Sequence, residues 1–187
     1  MVKRLFDIAV VVASLPLVAP LAAGVALAIW MSDGRPVLYW SERVGRGNRL
    51  FRMPKFRTMR RDTPPVATHL LRDPDAVLIP IGRLLRTTSL DEIPQLWSVL
   101  RGDMSLVGPR PALFNQGDLI ALRTQHGIDR LVPGVTGWAQ VNGRDELSIP
   151  RKVDLEREYM ERKTFAFDVR IIFLTLASVV GKKGVHH

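Results

Sequence analysis

The run Ser89-Leu90-Asp91-Glu92-Ile93-Pro94-Gln95 sets two carboxylates side by side just ahead of a proline. Carboxyl oxygens are the hard ligands that Mg2+ favours, and a carboxylate can also attack phosphorus, dividing one transfer into two steps. The same placement suits a structural role, because Ser89 and Asp91 ahead of a proline-initiated helix could accept its free N–H groups. Nearby charge favours chemistry: Arg83, Arg86, Arg101 and Arg110 all lie within a short stretch of the pair. Acids amid guanidinium groups fit a site where a divalent cation neutralises a diphosphate while one carboxylate attacks phosphorus. Asp91 and Glu92 are thus the candidate catalytic residues and the candidate metal ligands.

Donors of the type that hold phosphate lie on either side. Lys55-Phe56-Arg57-Thr58-Met59 places Lys55 and Arg57 as substrate contacts, and a solvated basic face or a membrane-surface patch is an equal alternative. In Gly108-Pro109-Arg110-Pro111 the flanking prolines lower the entropic cost of aiming the Arg110 guanidinium at a phosphate. Arg83 and Arg86 complete the cationic set. Trp138-Ala139-Gln140-Val141-Asn142-Gly143-Arg144 mixes an aromatic surface with two amides and a cation, which suits a base or sugar pocket contacted by Gln140, Asn142 and Arg144. A hairpin around one core tryptophan fits that run equally well.

Positioning these groups requires one modest domain and a membrane element. The chain has 187 residues, a net charge of +9 and no cysteine, which excludes disulfides, thiolate zinc sites and thiolate nucleophiles. The positive balance implies an anionic partner, whether membrane surface, phosphate-rich substrate or nucleic acid. His186 and His187 follow Gly-Lys-Lys-Gly-Val and are set aside as terminal additions, leaving His69 and His126.

Over residues 5–31 the only charged side chain is Asp7, and that length exceeds the roughly 20 apolar residues that cross a bilayer core. A cleaved leader fits poorly, because the run is long and ends in Trp30-Met31. A simple spanning helix competes with a hairpin that enters and leaves one leaflet. Two features support the hairpin: Pro16 and Pro20 should bend the helix mid-run, with Ser14 placed to bond a freed carbonyl, and both flanks are basic.

Beyond residue 31 the pattern predicts a short strand over 37–40, a basic and aromatic stretch over 50–59, and a loop over 60–75. Helices are expected over 81–87, from Pro94 to Gly102, and over 112–125, 152–162 and 165–180; a constrained loop or hairpin is expected over 132–143. The last helix is apolar nearly all round except for Asp168 and Arg170, as suits a core or an interfacial helix.

Taken together, these runs resemble the bacterial sugar transferases, or monotopic phosphoglycosyl transferases, which start lipid-linked glycan assembly. The resemblance covers nearly the whole chain and rests on several long motifs in order: the block from Lys55 to Met59, Ser89 through Trp97, Gly102 through Pro111, and Pro133 through Arg144. It implies a mostly helical α+β fold, with residues 1–31 as a re-entrant membrane hairpin broken at Ser14 and Pro16 and residues 32–183 as one catalytic domain with interfacial amphipathic helices. Ser14 and Pro16 are not adjacent, a departure from the usual Ser-Pro pair.

The resemblance further implies transfer of a sugar 1-phosphate from a UDP-sugar to undecaprenyl or another polyprenyl phosphate, with release of UMP. The implied route is ping-pong through a phosphosugar bound to Asp91, assisted by Glu92 and dependent on Mg2+. Lys152, Asp154 and Tyr159 match a C-terminal signature that places Asp154 and Tyr159 at the substrate, although the tryptophan often found after Asn-Gly-Arg is absent. The chain resembles the minimal catalytic form of the family, at the cytoplasmic face of the bacterial inner membrane, serving polysaccharide or lipopolysaccharide assembly. Neither the sugar nor homodimer formation is readable from the sequence. A membrane adaptor indifferent to Mg2+ is the rival from another class. Nucleic-acid binding is disfavoured, since the arginines are scattered among apolar blocks and form no recognised motif.

Overall fold

The computed structural model describes residues 2–64, 66, 73, 75–143 and 147–180. Its first element, α1 (Val2–Asp33), is a helix long and apolar enough to cross a membrane, and most of its surface is uncovered. Pro16 and Pro20 lie inside it. Each lacks the N–H that the carbonyl four residues earlier would accept, and its ring crowds that carbonyl. Ser14 Oγ donates to Val11 O at 2.7 Å, one residue short of the carbonyl that Pro16 leaves without its usual donor, and such back-bonding itself favours a bend.

Both arms of α1 rest on the remainder of the chain, whereas its middle does not. Val11 joins Met53, Val99 and Met104 in one apolar cluster, and Val25 and Ile29 join Phe56, Ile79 and Leu85 in another. Leu15, Leu17 and Leu21, between the arms, are exposed.

The strands β1 (Leu38–Val44) and β2 (Leu50–Phe56) form an antiparallel hairpin, Leu38 facing Phe56 and Val44 facing Leu50. Gly47 and Asn48 take positive φ in the turn, where a side chain beyond Cβ is tolerated only for residues such as Asn. This hairpin is longer than the strand expected over 37–40, because Met53 and Phe56 turn inward beneath α1 while Arg52 and Trp40 stack outside. Next come α2 (Gly82–Thr87), a tight turn of 3-10 helix at Leu90–Glu92, and α3 (Gln95–Arg101), which Gly102 closes at φ 94°. The two helices agree with expectation.

Two further elements differ from expectation. No hairpin forms over 132–143: β3 (Ser105–Val107) pairs in parallel with β4 (Gly134–Thr136), and α5 (Trp138–Val141) follows directly. The apolar patch around Val135 therefore finds its partner strand some thirty residues upstream, a long-range choice that local turn residues do not encode. The helix expected over 112–125 begins only at α4 (Gly117–Gln125), because Val44 N donates to Ala112 O at 2.9 Å and holds that segment against β1. The charged α6 (Ile149–Arg162) and apolar α7 (Phe165–Val180) complete a mostly helical fold with two small sheets. Phe167 and Ile171 of α7 pack inward with Tyr159, while Phe165, Phe173, Leu174 and Leu176 stay exposed.

Candidate active site

The carboxylate pair is held by the tight turn and not by a helix cap. Ser89 enters the turn with φ 57° and makes no side-chain cap bond, and α3 is capped by Pro94 without any side-chain bond. The capping role open to Ser89 and Asp91 is thus not the one they take. Instead the left-handed residue turns both carboxylates toward the end of β2, where Lys55 projects from the hairpin.

Lys55 Nζ lies 2.8 Å from Glu92 Oε1 and 3.5 Å from Asp91 Oδ2. Arg110 Nη2 reaches the same Glu92 Oε1 at 2.8 Å. Arg110 is delivered there by a close crossing of backbones: a Cβ on Gly134 would stand 2.1 Å from Gly108 N, and one on Gly137 would stand 2.1 Å from Gly108 O. Glycine is therefore required at these positions, which explains why the Gly108-Pro109-Arg110-Pro111 and Pro133-Gly134-Val135-Thr136-Gly137 runs belong together.

The two acids are driven in opposite directions. Burial pushes the Asp91 carboxyl above its ordinary value of 3.8, with Lys55 opposing and the Glu92 charge adding to the rise. Burial would raise Glu92 too, but the Arg110 and Lys55 cations and their hydrogen bonds outweigh it and hold Glu92 well below 4.5. Separation of neighbouring carboxylates in this way assigns them different tasks. Glu92 is a fixed anion that orders two cations. Asp91, 9% exposed, keeps an oxygen that Lys55 approaches only beyond good hydrogen-bond range.

Among the described residues no group of three or more His, Cys, Asp or Glu could hold a metal ion alone. Asp91, with Glu92 beside it, offers the one or two carboxylates with which Mg2+ is ordinarily bound when phosphate oxygens complete its shell. The donor set fits a cation shared with a diphosphate.

The remaining candidates divide. Arg86, in the last turn of α2, is near enough to lower the Asp91 pKa and belongs to the site. Arg83 points elsewhere, paired at 2.8 Å with Asp75 on the surface. Arg57 is 4% exposed, and its guanidinium donates to Pro36 O at 2.5 Å, to Asp33 O and Gly34 O at 3.0 Å, and to the Asp33 carboxylate. With its donors committed to the end of α1, it anchors that helix.

Gln140 lies beside the Gly108 crossing, and both its amide atoms are buried with no protein partner among the described residues, so it retains bonding capacity next to the loop that carries Arg110. Asn142 is exposed and donates to Trp138 O at 2.7 Å, closing α5. Trp138 packs against the core and donates to Glu158 at 2.9 Å, so it is the core tryptophan and not a stacking platform. Arg144 lies outside the described residues. Asp154 is on the exposed face of α6, and among the described residues no bond links it to the carboxylate pair.

Tyr159 is turned inward, away from the carboxylate pair. It is 2% exposed, its hydroxyl donates to Asp168 Oδ1 at 2.6 Å, and burial followed by Asp168 drives its pKa upward. It serves the core. The partners around it were not paired by sequence reasoning: Lys3 Nζ donates to Asp168 Oδ2 at 2.5 Å, and Asp7 accepts from Ser105 Oγ at 2.8 Å. A lone acid in each of two apolar helices was the signal, since an acid there needs a partner.

Comparison with known proteins follows the same geometry. The profile of one family, described as bacterial sugar transferase, matches residues 1–182. An undecaprenyl-phosphate glucose phosphotransferase of Komagataeibacter xylinus is 42% identical over 93% of this chain and 35% of its own length. An uncharacterized sugar transferase, EpsL, of Bacillus subtilis is 37% identical over 98% of this chain and 89% of its own length. A UDP-N-acetylgalactosamine-undecaprenyl-phosphate N-acetylgalactosaminephosphotransferase of Aeromonas hydrophila is 34% identical over 96% of this chain. The chain spans 35% and 44% of the lengths of the first and third of these.

Proposed function

Since the chain belongs to the bacterial sugar transferase family, we propose that it transfers a sugar 1-phosphate from a UDP-sugar to a polyprenyl phosphate such as undecaprenyl phosphate, releasing UMP. The observation that carries this reading is the asymmetric carboxylate pair, one acid fixed between Lys55 and Arg110 and the other left incompletely bonded. Named relatives that act on undecaprenyl phosphate support the acceptor class.

In the proposed mechanism an Asp91 oxygen attacks the β-phosphorus of the donor. The bond from that phosphorus to the bridging oxygen breaks, UMP departs with the electron pair, and a phosphosugar remains on Asp91. An oxygen of the polyprenyl phosphate then attacks the same phosphorus and frees the carboxylate. Lys55, Arg86 and Arg110 gather the diphosphate charge, and Glu92 keeps Lys55 and Arg110 oriented. Asp91 and Glu92 would hold Mg2+ with the donor phosphates, where it supplies further neutralisation of charge.

The same proposal sets α1 as a re-entrant hairpin in one leaflet of the bacterial inner membrane, with residues 32–183 forming the catalytic domain on the cytoplasmic side. Lys3 and Asp33 would lie about 45 Å apart on a straight helix, more than the roughly 40 Å diameter of a body of about 150 residues. Both are nonetheless bonded to that body, through Asp168 and Arg57. The exposed middle of α1, its two prolines and the exposed apolar face of α7 support the same placement.

The test incubates full-length protein in detergent with undecaprenyl phosphate, Mg2+ and a panel of UDP-sugars, reading UMP release. One sugar should support turnover, with a burst of UMP near one per enzyme when the lipid is omitted. Turnover with no such burst would defeat the covalent route.

A further inference from the structure

A cleft of about 310 Å³ lies beside the first turn of α1, lined by Lys3, Arg4, Asp7, Arg46 and Lys163 together with Ser105, Tyr159 and apolar residues around β3. Lys55, Arg86, Asp91, Glu92 and Arg110 do not line it. We propose that this cleft is a second anion site, which binds the phosphate of an anionic lipid.

Charge supports the assignment. Asp7, the one acid on its wall, is already engaged by Ser105 Oγ and Leu106 N, and Lys3 is offset by Asp168. Arg4 donates only to the Val99 and Leu100 carbonyls, so its hydrogen bonds are met while no carboxylate among the described residues meets its charge. Arg46, in the β1–β2 turn, and Lys163, after α6, are exposed and make no ion pair among the described residues. Elements distant in sequence thus bring cations to one hollow with a single, already bonded, acid. Such a hollow raises the local concentration of anions.

Position narrows the anion to a lipid. Leu5, the next residue of α1 after Arg4, is 65% exposed, and the Phe6 ring stands edge-on to Phe165 at 4.9 Å. Phe165 begins the exposed apolar face of α7. The cleft therefore sits where two apolar surfaces meet the charged body, the level at which lipid phosphates lie. This placement rests on the membrane reading of α1. A bilayer phospholipid and a polyprenyl phosphate share the chemistry the cleft selects.

The experiment uses the full chain, reconstituted with neutral phospholipid plus phosphatidylglycerol or undecaprenyl phosphate, and counts retained lipids by native mass spectrometry. Wild type should hold one anionic lipid in preference to the neutral one. The R46A/K163A double variant should weaken that retention about thirtyfold, the effect of two basic side chains near a lipid surface, while R61A/R83A, which removes exposed cations that neither line the cleft nor adjoin a residue lining it, should not. Retention of phosphatidylglycerol identifies a bilayer lipid; retention of undecaprenyl phosphate alone identifies a reserve of acceptor. Equal loss in both double variants, or no preference for the anionic lipid, overturns the proposal. Sedimentation with neutral vesicles, unchanged in R46A/K163A, reads the membrane role of α1 separately; failure of wild type to sediment would instead defeat that role.

Discussion

Two acid clusters in this molecule have similar ingredients and opposite finish. In one, Asp168 accepts from both Lys3 and Tyr159, and Asp7 accepts from Ser105, so each carboxylate has close partners. In the other, Glu92 is bonded to Lys55 and Arg110, while Asp91 faces Lys55 only at 3.5 Å. A buried network with every group satisfied rigidifies a fold, whereas an incompletely satisfied carboxylate costs stability and persists where chemistry needs it. The Asp7 and Asp168 cluster ties α1 to the domain. The Asp91 and Glu92 cluster leaves one carboxylate incompletely bonded, the one proposed to react.

The largest effect should come from removing that atom. Asp91→Asn should lower UMP release by about 10⁴-fold or more, with or without lipid acceptor, as loss of a covalent nucleophile does; substantial turnover would transfer the role to another group. Chelation with EDTA should likewise abolish release, and added Mg2+ should restore it. Next in size, Lys55→Met or Arg110→Ala should reduce kcat by about 10²- to 10³-fold, the scale seen when one preorganised charge-stabilising group is lost.

Stability should then move in opposite directions for the two acids. Because the folded state raises the Asp91 pKa above 3.8, its ionisation costs stability once pH rises through that unfolded value, so Asp91→Asn should melt higher at pH 7. Glu92 is held well below 4.5, so its contribution is present above the unfolded value and is lost as pH falls through the depressed one. Glu92→Gln should therefore melt lower at pH 7, by about 1–3 kcal/mol. Parallel melts of the two variants over pH 3 to 8 check both signs. The raised Asp91 pKa also predicts an acid limb in the rate profile above the ordinary 3.8.

The smallest change should be in the other cluster. Tyr159→Phe removes one hydroxyl bond from a carboxylate that keeps Lys3, at a cost of about 1 kcal/mol in denaturant unfolding, with KM for the UDP-sugar unchanged. A tenfold rise in KM would return Tyr159 to the substrate.

Much of this was legible beforehand, for reasons that differ by residue. Asp91 and Glu92 stood out because adjacent acids among arginines are costly without a use, and α2, α3, α6 and α7 followed from short-range periodicity and the Pro94 and Gly102 stops. The bonds of Arg57 to the end of α1 and of Tyr159 to Asp168 were not legible, because sequence proximity to a motif says nothing about where a side chain's donors are spent. The parallel pairing of β3 with β4, and with it the delivery of Arg110, lay beyond any local signal.

By itself the amino-acid sequence determined the apolar length of α1 and the identities of the candidate acids and cations. These depend on composition and residue order. Only the tertiary structure decided which cation meets which acid in these two clusters, because their ion pairs join residues 18 to 165 positions apart. It also decided that Glu92 Oε1 is held by two cations while Asp91 meets Lys55 only at 3.5 Å, a distinction of less than 1 Å in the reach of one lysine between 2.8 and 3.5 Å. Charge interactions at that range depend on burial and exact distance, and both are set by packing.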